Sequence, residues 1–520
     1  MKRDLSPFWY WTSVIIGIAF PVIAVTYIFN FRPFGITMPE NSYLYLLLGL
    51  GLFQSYISYA PGKAAAAPDA PRGFLALDVL LAVASLALCL YFAVHGRRIT
   101  AEAWMMMPPS EMVVWTCVAL TALVLECLRR VAGLALFILC ALFVIFPLVA
   151  GDLPSFLMGN TFSLREAFTM HVLDSQSLVG LPMAVTGTLL IGYIIFGVVL
   201  NNTGGGQFFL DGASAALGRY RGGAGKVAVV ASSLFGSMSG SSISNVITTG
   251  SVTIPAMKKS GFKPHEAGAI EACASTGGML MPPVMGAVAF LMAQFLNVSY
   301  FTVVVAAIVP SLMLYFGLFL VLDARAGRAG LKGLPADQRP KLARTMRQGW
   351  PFVVALGLLV YYLWQRMEAQ APFFVIVVLL GIVLIVRRSM SLRDLADLAR
   401  DVSVSVSELI ATIAAVGFII GAMAMTGVGT ALSGELVGLA GGNPYLLLIF
   451  GALASFILGM GLSASACYIF LAVVLAPGLT NFGFNQVAVH LFILYWAIVS
   501  NITPPVALAC FPAARLADSP

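Results

Sequence analysis

Two stretches of this 520-residue chain gather residue types that hold ions and small acids without carrying charge. The first is Ser239-Gly240-Ser241-Ser242 with Asn245 one turn later, followed by Ser275-Thr276-Gly277-Gly278. The second is Ser463 and Ser465, followed by Asn501 and Thr503. A diproline belongs to each: Pro282-Pro283 and Pro504-Pro505. Proline and glycine interrupt helices, and a helix broken at membrane depth offers carbonyl oxygens at one half-helix end and N–H groups at the other. The carbonyls and hydroxyls of Gly240, Ser241, Thr276, Gly277, Ser463 and Asn501 suit Na⁺. Half-helix N–H groups, with Ser239, Ser242, Asn245, Ser465 and Thr503, suit a carboxylate. Neutral side chains do this without the cost of a buried charge. A single Gly/Ser run would say only that helices pack closely there.

The two stretches are copies at an offset of 222 residues. Met238 recurs as Met460, Ser241 as Ser463, Pro255 as Pro477, Gly261-Phe262 as Gly483-Phe484, and Pro282-Pro283-Val284 as Pro504-Pro505-Val506. Three prolines in ungapped register are hard to obtain by chance. Such paired, interrupted apolar segments are the sequence pointer to a transporter binding site.

These stretches sit in an apolar chain. It is 60% hydrophobic and 10% charged, with mean hydropathy +0.95, against about 25% charged in a soluble domain. An all-α polytopic membrane protein follows, with spans expected at 8–29, 43–60, 74–94, 111–128, 131–150 and 183–203. Further spans are expected at 265–296 (broken at the diproline), 299–322, 348–366, 371–387 and 403–426, with a last one from about 487. The net charge of +7 lies mostly in loops and reports orientation in a lipid bilayer, not nucleic-acid binding. The apolar run from Phe8 is too long for a signal-peptide core and reads as a retained span. The seven cysteines form no Cys-x-x-Cys pair and suggest neither a disulfide framework nor a zinc site.

Lysine and arginine favour the cytoplasmic face. That rule places loops 323–347 and 387–400 inside, with Lys63, Arg72, Arg129 and Arg130. Arg97 and Arg98 run against it, and segment 95–110 is expected to lie at the interface. Basic clusters flank 227–257 on both sides: Arg219, Arg221 and Lys226 before, Lys258, Lys259 and Lys263 after. A hairpin entering and leaving by the cytoplasmic face keeps both inside. Its copy, 449–479, follows a span ending outside and has an uncharged exit loop. Two hairpins from opposite faces make an inverted-topology repeat. Amphipathic segments 207–218 and 430–440 precede them.

Other candidates carry less. Glu271, Glu126 and His490 read first as satisfied polar contacts. His265-Glu266 lacks the second histidine of a zinc motif, and Arg221–Lys226 lacks the spacing of an ATP-binding phosphate loop. Trp9, Tyr10 and Trp11 read as an interface anchor. Segment 152–180 reads as an external loop with an amphipathic helix.

At these residues the chain resembles a known family. Leu234–Gly250, Thr253–Lys259 and Ala274–Ala287 look like the membrane subunit of TRAP transporters. The N-terminal spans, Glu126–Gly133 and Gly218–Gly223 resemble the fused type, in which small and large permease subunits are one chain working with a TAXI-type periplasmic binding protein. The resemblance implies an elevator-type, ion-coupled importer of a small organic anion in a bacterial or archaeal inner membrane. Na⁺ is the usual coupling ion and H⁺ an alternative. Neither ATP nor a tightly bound cofactor is implied. Residues 1–130 would be the small-subunit-like domain and 131–520 the transport and scaffold domain. Continuing the first repeat to Leu322 puts its counterpart's end near residue 544, so the C-terminus is expected to be incomplete. A receptor-independent anion symporter of related fold is the alternative. A channel would need a continuous pore, and an intramembrane enzyme would need an acid, base or nucleophile cluster at membrane depth.

Overall fold

The structure is a computed structural model describing residues 3, 5–32, 35, 37–62, 72–154, 157–504 and 507–519. Lys63, Pro505 and Val506 lie outside the described residues. The described residues are helical, without a β-strand. Among the described residues, seven helices are long and apolar enough to cross a membrane. The chain divides into two compact units.

The first unit comprises residues 1–195, 391–451 and 461–484. It contains α1 (Pro7–Ile28), α2 (Glu40–Ser58), α3 (Arg72–Ala101), α4 (Glu111–Val131), α5 (Leu134–Val149) and α6 (Leu164–Leu173). The start of α7 (Leu181–Asn202) belongs to it as well. So does α8, the 35-residue helix Leu392–Thr426 on which α1 and α2 pack. Small residues permit that packing: a Cβ on Gly17 would lie 1.8 Å from the Ala399 carbonyl oxygen, and one on Gly51 would lie 2.7 Å from Ile410. Asp78 is fully buried between Arg3 at 2.8 Å and Arg130 at 2.5 Å, and Arg130 also bonds Glu126. Tyr10 donates to Asp397 and Tyr59 to Glu408, fixing α1 and α2 to α8.

In this unit two boundaries differ from the expected spans by more than three residues. Helix α3 continues to Ala101, past the expected end at 94, because no proline intervenes and the single Gly96 is tolerated inside the helix. Asn41 donates to Thr100, and Arg97 donates to Thr37, so these turns are tied to the first turn of α2 and the residues just before it. Helix α8 starts at Leu392 rather than 403, because Ser391 and Asp394 form a capping box there. Its extra turns carry Arg393, Asp397, Arg400 and Asp401.

The second unit comprises residues 196–390, 452–460 and 485–520. Helix α9 (Gly205–Leu217) precedes a helical hairpin, α10 (Gly223–Ser239) and α11 (Ser242–Lys259). Then come α12 (Pro264–Gly278), α13 (Gly286–Phe295) and the long α14 (Tyr300–Arg328). Helices α15 (Leu342–Trp364) and α16 (Ala371–Arg387) follow. The core of this unit is alanine-rich, with Ala224, Ala228, Ala267, Ala274, Ala509 and Ala513 around Val246, Ile254, Met257 and Phe262. Such side chains let α10, α11 and α12 approach closely.

The later elements repeat the order of the earlier ones. Helix α17 (Val428–Leu439) precedes α18 (Pro444–Gly461), α19 (Ala464–Val474), α20 (Ala476–Asn481) and α21 (Gln486–Val499), and α22 (Cys510–Ala517) ends the chain. Gly204, at φ +97°, opens α9, and Gly427, at φ +76°, opens α17; each takes the left-handed conformation that glycine alone tolerates well. The hairpin expected at 227–257 is built from 223–259, and the segment expected to copy it at 449–479 lies within helices covering 444–481.

Candidate functional site

The tip of the first hairpin is set by glycine and serine. Gly240 ends α10 in the left-handed region at φ +62°, and Ser241 then turns extended. Ser241 Oγ accepts the Ser244 N–H at 3.3 Å and so caps α11. Ser242 and Asn245 are buried behind the tip, and Ser239 closes α10.

The tip meets a broken helix. Helix α12 ends at Gly277-Gly278, and a cis Pro282-Pro283 bond and left-handed Met285 lead into α13. A Cβ on Gly278 would lie 2.7 Å from the Gly236 Cα, and one on Gly240 would lie 2.7 Å from the Gly286 Cα. Hairpin and break touch backbone to backbone.

Breaking a helix frees carbonyls, and α14 takes them up. Tyr315 Oη donates to the Ala274 carbonyl at 2.9 Å and Ser311 Oγ to the Leu280 carbonyl at 2.5 Å. Tyr300 Oη donates to the carbonyls of Pro283 at 2.8 Å and Val284 at 2.5 Å. The Tyr300 N–H is in turn bound by Glu368, a carboxylate outside the spans whose pKa burial raises, against two backbone hydrogen bonds that lower it. Non-helical backbone at membrane depth requires this internal satisfaction.

One hydroxyl stays apart. Thr276 Oγ1 is buried and has no hydrogen-bond partner among the described residues. Buried polar atoms without a partner are rare and costly. This one lies on the last turn of α12, where helix carbonyls converge, so a cation could complete it. Gly277 has a packing duty as well, since a Cβ there would lie 3.0 Å from the Tyr315 hydroxyl.

Asn245 is turned inward. Its Nδ2 donates to the Ser232 carbonyl at 2.8 Å, and its Oδ1 lies 3.0 Å from the Thr249 hydroxyl. It holds the hairpin's two helices together. Next to it sits Glu271, fully buried. Ser232, Thr249 and Ser275 hydroxyls donate to its Oε1 at 2.5, 2.7 and 3.1 Å, and Thr253 donates to its Oε2 at 2.5 Å. The sequence reading of Glu271 as a satisfied polar contact agrees with these bonds, but Ser232, Thr249 and Thr253 were not singled out. Their signal was the four-residue spacing of Asn245, Thr249 and Thr253, and of Glu271 and Ser275, which puts each set on one helix face. Glu126, read the same way, pairs with Arg129 and Arg130.

In the second copy, Ser463 Oγ accepts the Ala466 N–H at 3.3 Å and caps α19. Ser465 follows in its first turn, half-buried. Asn501 is buried, with its carbonyl accepting the Ala509 N–H at 2.9 Å, and Thr503 Oγ1 donates to the Val499 carbonyl at 2.9 Å. Ser463 and Ser465 belong to the first unit, Asn501 and Thr503 to the second.

Residues 119–520 match the DctM component of the tripartite ATP-independent periplasmic transporters, and that match contains both hairpins and both breaks. The chain belongs to the DctM family. It is similar to the sialic acid TRAP transporter permease protein SiaT of Haemophilus influenzae, 23% identical over 69% of this chain and 57% of that one. It is 25% identical to the ectoine/5-hydroxyectoine TRAP transporter large permease protein of Ruegeria pomeroyi, over 72% of this chain and 86% of the relative. It is 26% identical to the C4-dicarboxylate TRAP transporter large permease protein of Pseudomonas aeruginosa, over 63% and 77%. The chain thus spans little more than half of the Haemophilus protein. As a DctM-family chain with seven apolar helices of spanning length, it is a multi-pass protein of the bacterial inner membrane.

Proposed function

We propose that this chain is the membrane permease of an ion-coupled importer, taking a small organic acid from a periplasmic binding protein of the TAXI type. Residues 1–130 serve as the small-subunit-like part and 131–520 as the transport part, fused in one chain. Relatives named for sialic acid and C4-dicarboxylates support an acid as cargo. The observation that carries the reading is the glycine contact between the hairpin tip and the broken helix, with Thr276 Oγ1 left without a partner beside it.

On this reading the ion is Na⁺, held by oxygens of Gly240, Ser241, Thr276 and Gly277, with Ser463 and Asn501 serving in the second copy. The acid lies against Ser239 and Ser242 at the first tip, with Ser465 and Thr503 serving in the second copy, favoured by the N–H groups that open α11, α13 and α19. Ion binding settles the first tip against its break, and the cargo is then carried across by an elevator mechanism. No step needs ATP or a resident cofactor.

The test is uptake in proteoliposomes. The cognate receptor is purified, its bound ligand identified by mass spectrometry, and the radiolabelled ligand offered with an inward Na⁺ gradient, a proton gradient or neither. The reading expects receptor-dependent accumulation driven by Na⁺. Accumulation without receptor would favour the receptor-independent symporter, and equilibration without any gradient would contradict ion coupling.

A further inference from the structure

Glu271 differs from the other buried carboxylate described above, Asp78, in having no cation beside it. Every partner of Glu271 is a hydroxyl. None of the charged groups on the elements packed against α12, Lys259 of α11 and Arg328 of α14 included, bonds Glu271. Lys226 of α10 binds Asp323, Lys258 of α11 binds the Ala517 carbonyl and Asp518, and Arg325 of α14 binds Glu266 at the start of α12. Tyr315 of α14 donates to the Ala274 carbonyl. Helix α22 brings Cys510 and Arg515, neither bonded to Glu271, and the turn 500–502 brings Asn501. A fully buried carboxylate without a countercharge costs several kcal/mol, and the cost falls when it binds a proton.

The hydroxyls are arranged to serve both forms. As a carboxylate, Glu271 accepts four hydrogen bonds. Thr253 Oγ1 also lies 3.0 Å from the Thr249 carbonyl, and Thr249 Oγ1 lies 2.8 Å from the Asn245 carbonyl and 3.0 Å from Asn245 Oδ1. A proton arriving from bulk water on Oε2 would turn that oxygen from acceptor to donor toward Thr253 Oγ1. The Thr253 hydroxyl proton would then rotate to the Thr249 carbonyl. The gain is one proton and the heavy atoms need not move. Thr249 has the same option toward Asn245, the residue holding α11 to α10 behind the tip.

The second repeat shows that helix packing does not require this cluster. At the 222-residue offset, Ser232, Thr249, Thr253, Glu271 and Ser275 correspond to Ala454, Leu471, Leu475, Ile493 and Ala497. The prolines, the tip serine and the break are kept while all five polar positions become apolar.

We propose that Glu271 is a proton-binding site of the first hairpin, with the Thr253 and Thr249 hydroxyls reorienting toward the Thr249 and Asn245 carbonyls when the carboxylate takes up a proton. The proposal rests on the transporter reading for its use, but its test does not. The full chain in lipid nanodiscs is examined by infrared difference spectroscopy between pH 5 and pH 9, in water and deuterium oxide. A protonated-carboxyl C=O band that titrates in the wild type and is missing in Glu271→Gln is expected. Thr253→Val keeps the side-chain shape and removes the partner of Oε2, so it should shift that band's frequency. The proposal is overturned if no such band titrates in the wild type, or if a titrating band survives in Glu271→Gln. A band insensitive to Thr253→Val would overturn the role given to the Thr253 hydroxyl at Oε2. No transported ligand enters these measurements, so failed uptake and a failed proton site remain distinguishable.

Discussion

Ser241 and Ser463, 222 positions apart, make the same bond. Each hydroxyl accepts the N–H three residues on at 3.3 Å and starts the second helix of its hairpin. A repeat first visible as matching prolines is therefore also a repeat of local geometry. Replacing either serine by alanine removes an N-cap worth about 1 kcal/mol. Amide exchange at Ser244 in Ser241→Ala, and at Ala466 in Ser463→Ala, should speed up about five-fold. Receptor-dependent uptake should be lost in both, with normal expression. Wild-type uptake in both would remove these serines from the site.

Gly240 and Gly286 are predicted to tolerate no side chain. Both have positive φ, and a Cβ on either would fall 2.7 Å from the other's Cα. Gly240→Ala or Gly286→Ala should lower thermal stability by about 1–3 kcal/mol and abolish uptake. Gly212, with open space around it, is the control and should accept alanine. Equal melting curves for the two tip variants and Gly212→Ala would contradict the close contact.

Thr276→Val separates stability from function. The buried hydroxyl has no protein partner, so removing it should leave thermal stability unchanged or raise it by about 1 kcal/mol. If the hydroxyl serves an ion, the Na⁺ concentration needed for half-maximal uptake should rise at least ten-fold. An unchanged Na⁺ dependence would sink the assignment.

Asp78→Asn tests the buried ion pairs of the first unit. Removing the carboxylate leaves the Arg130 guanidinium, itself buried, with only Glu126 as an acidic partner among the described residues. A loss of about 3–5 kcal/mol is expected, the range for breaking a buried pair. It should appear as a lower melting temperature in detergent. A melting temperature within one degree of the wild type would show the pair to be dispensable.

Legibility in the sequence followed the rarity of the residue type. Prolines are few, and proline and glycine are conformationally decisive, so Pro255, Gly240 and Pro282-Pro283 placed the first hairpin and its break within a few residues. The start of α8 was missed because charged turns before residue 403 look like a loop when apolarity is the only guide. The Glu271 cluster was half legible. The carboxylate stands out, but serine and threonine are common in membrane helices, and only packing shows which of them converge. Asn245 was read as facing cargo, whereas its amide is spent inside the hairpin. A side chain's type gives its chemistry but not its direction.

Side-specific labelling of the two hairpin exits tests the inverted repeat most directly. Single cysteines are placed at Lys259 and at Asn481, in a chain whose seven native cysteines are replaced, and probed in intact cells with a membrane-impermeant maleimide. The account predicts that the cysteine at 481 reacts from outside, while the one at 259 reacts only after the membrane is opened. Reaction of both from the same side would contradict it.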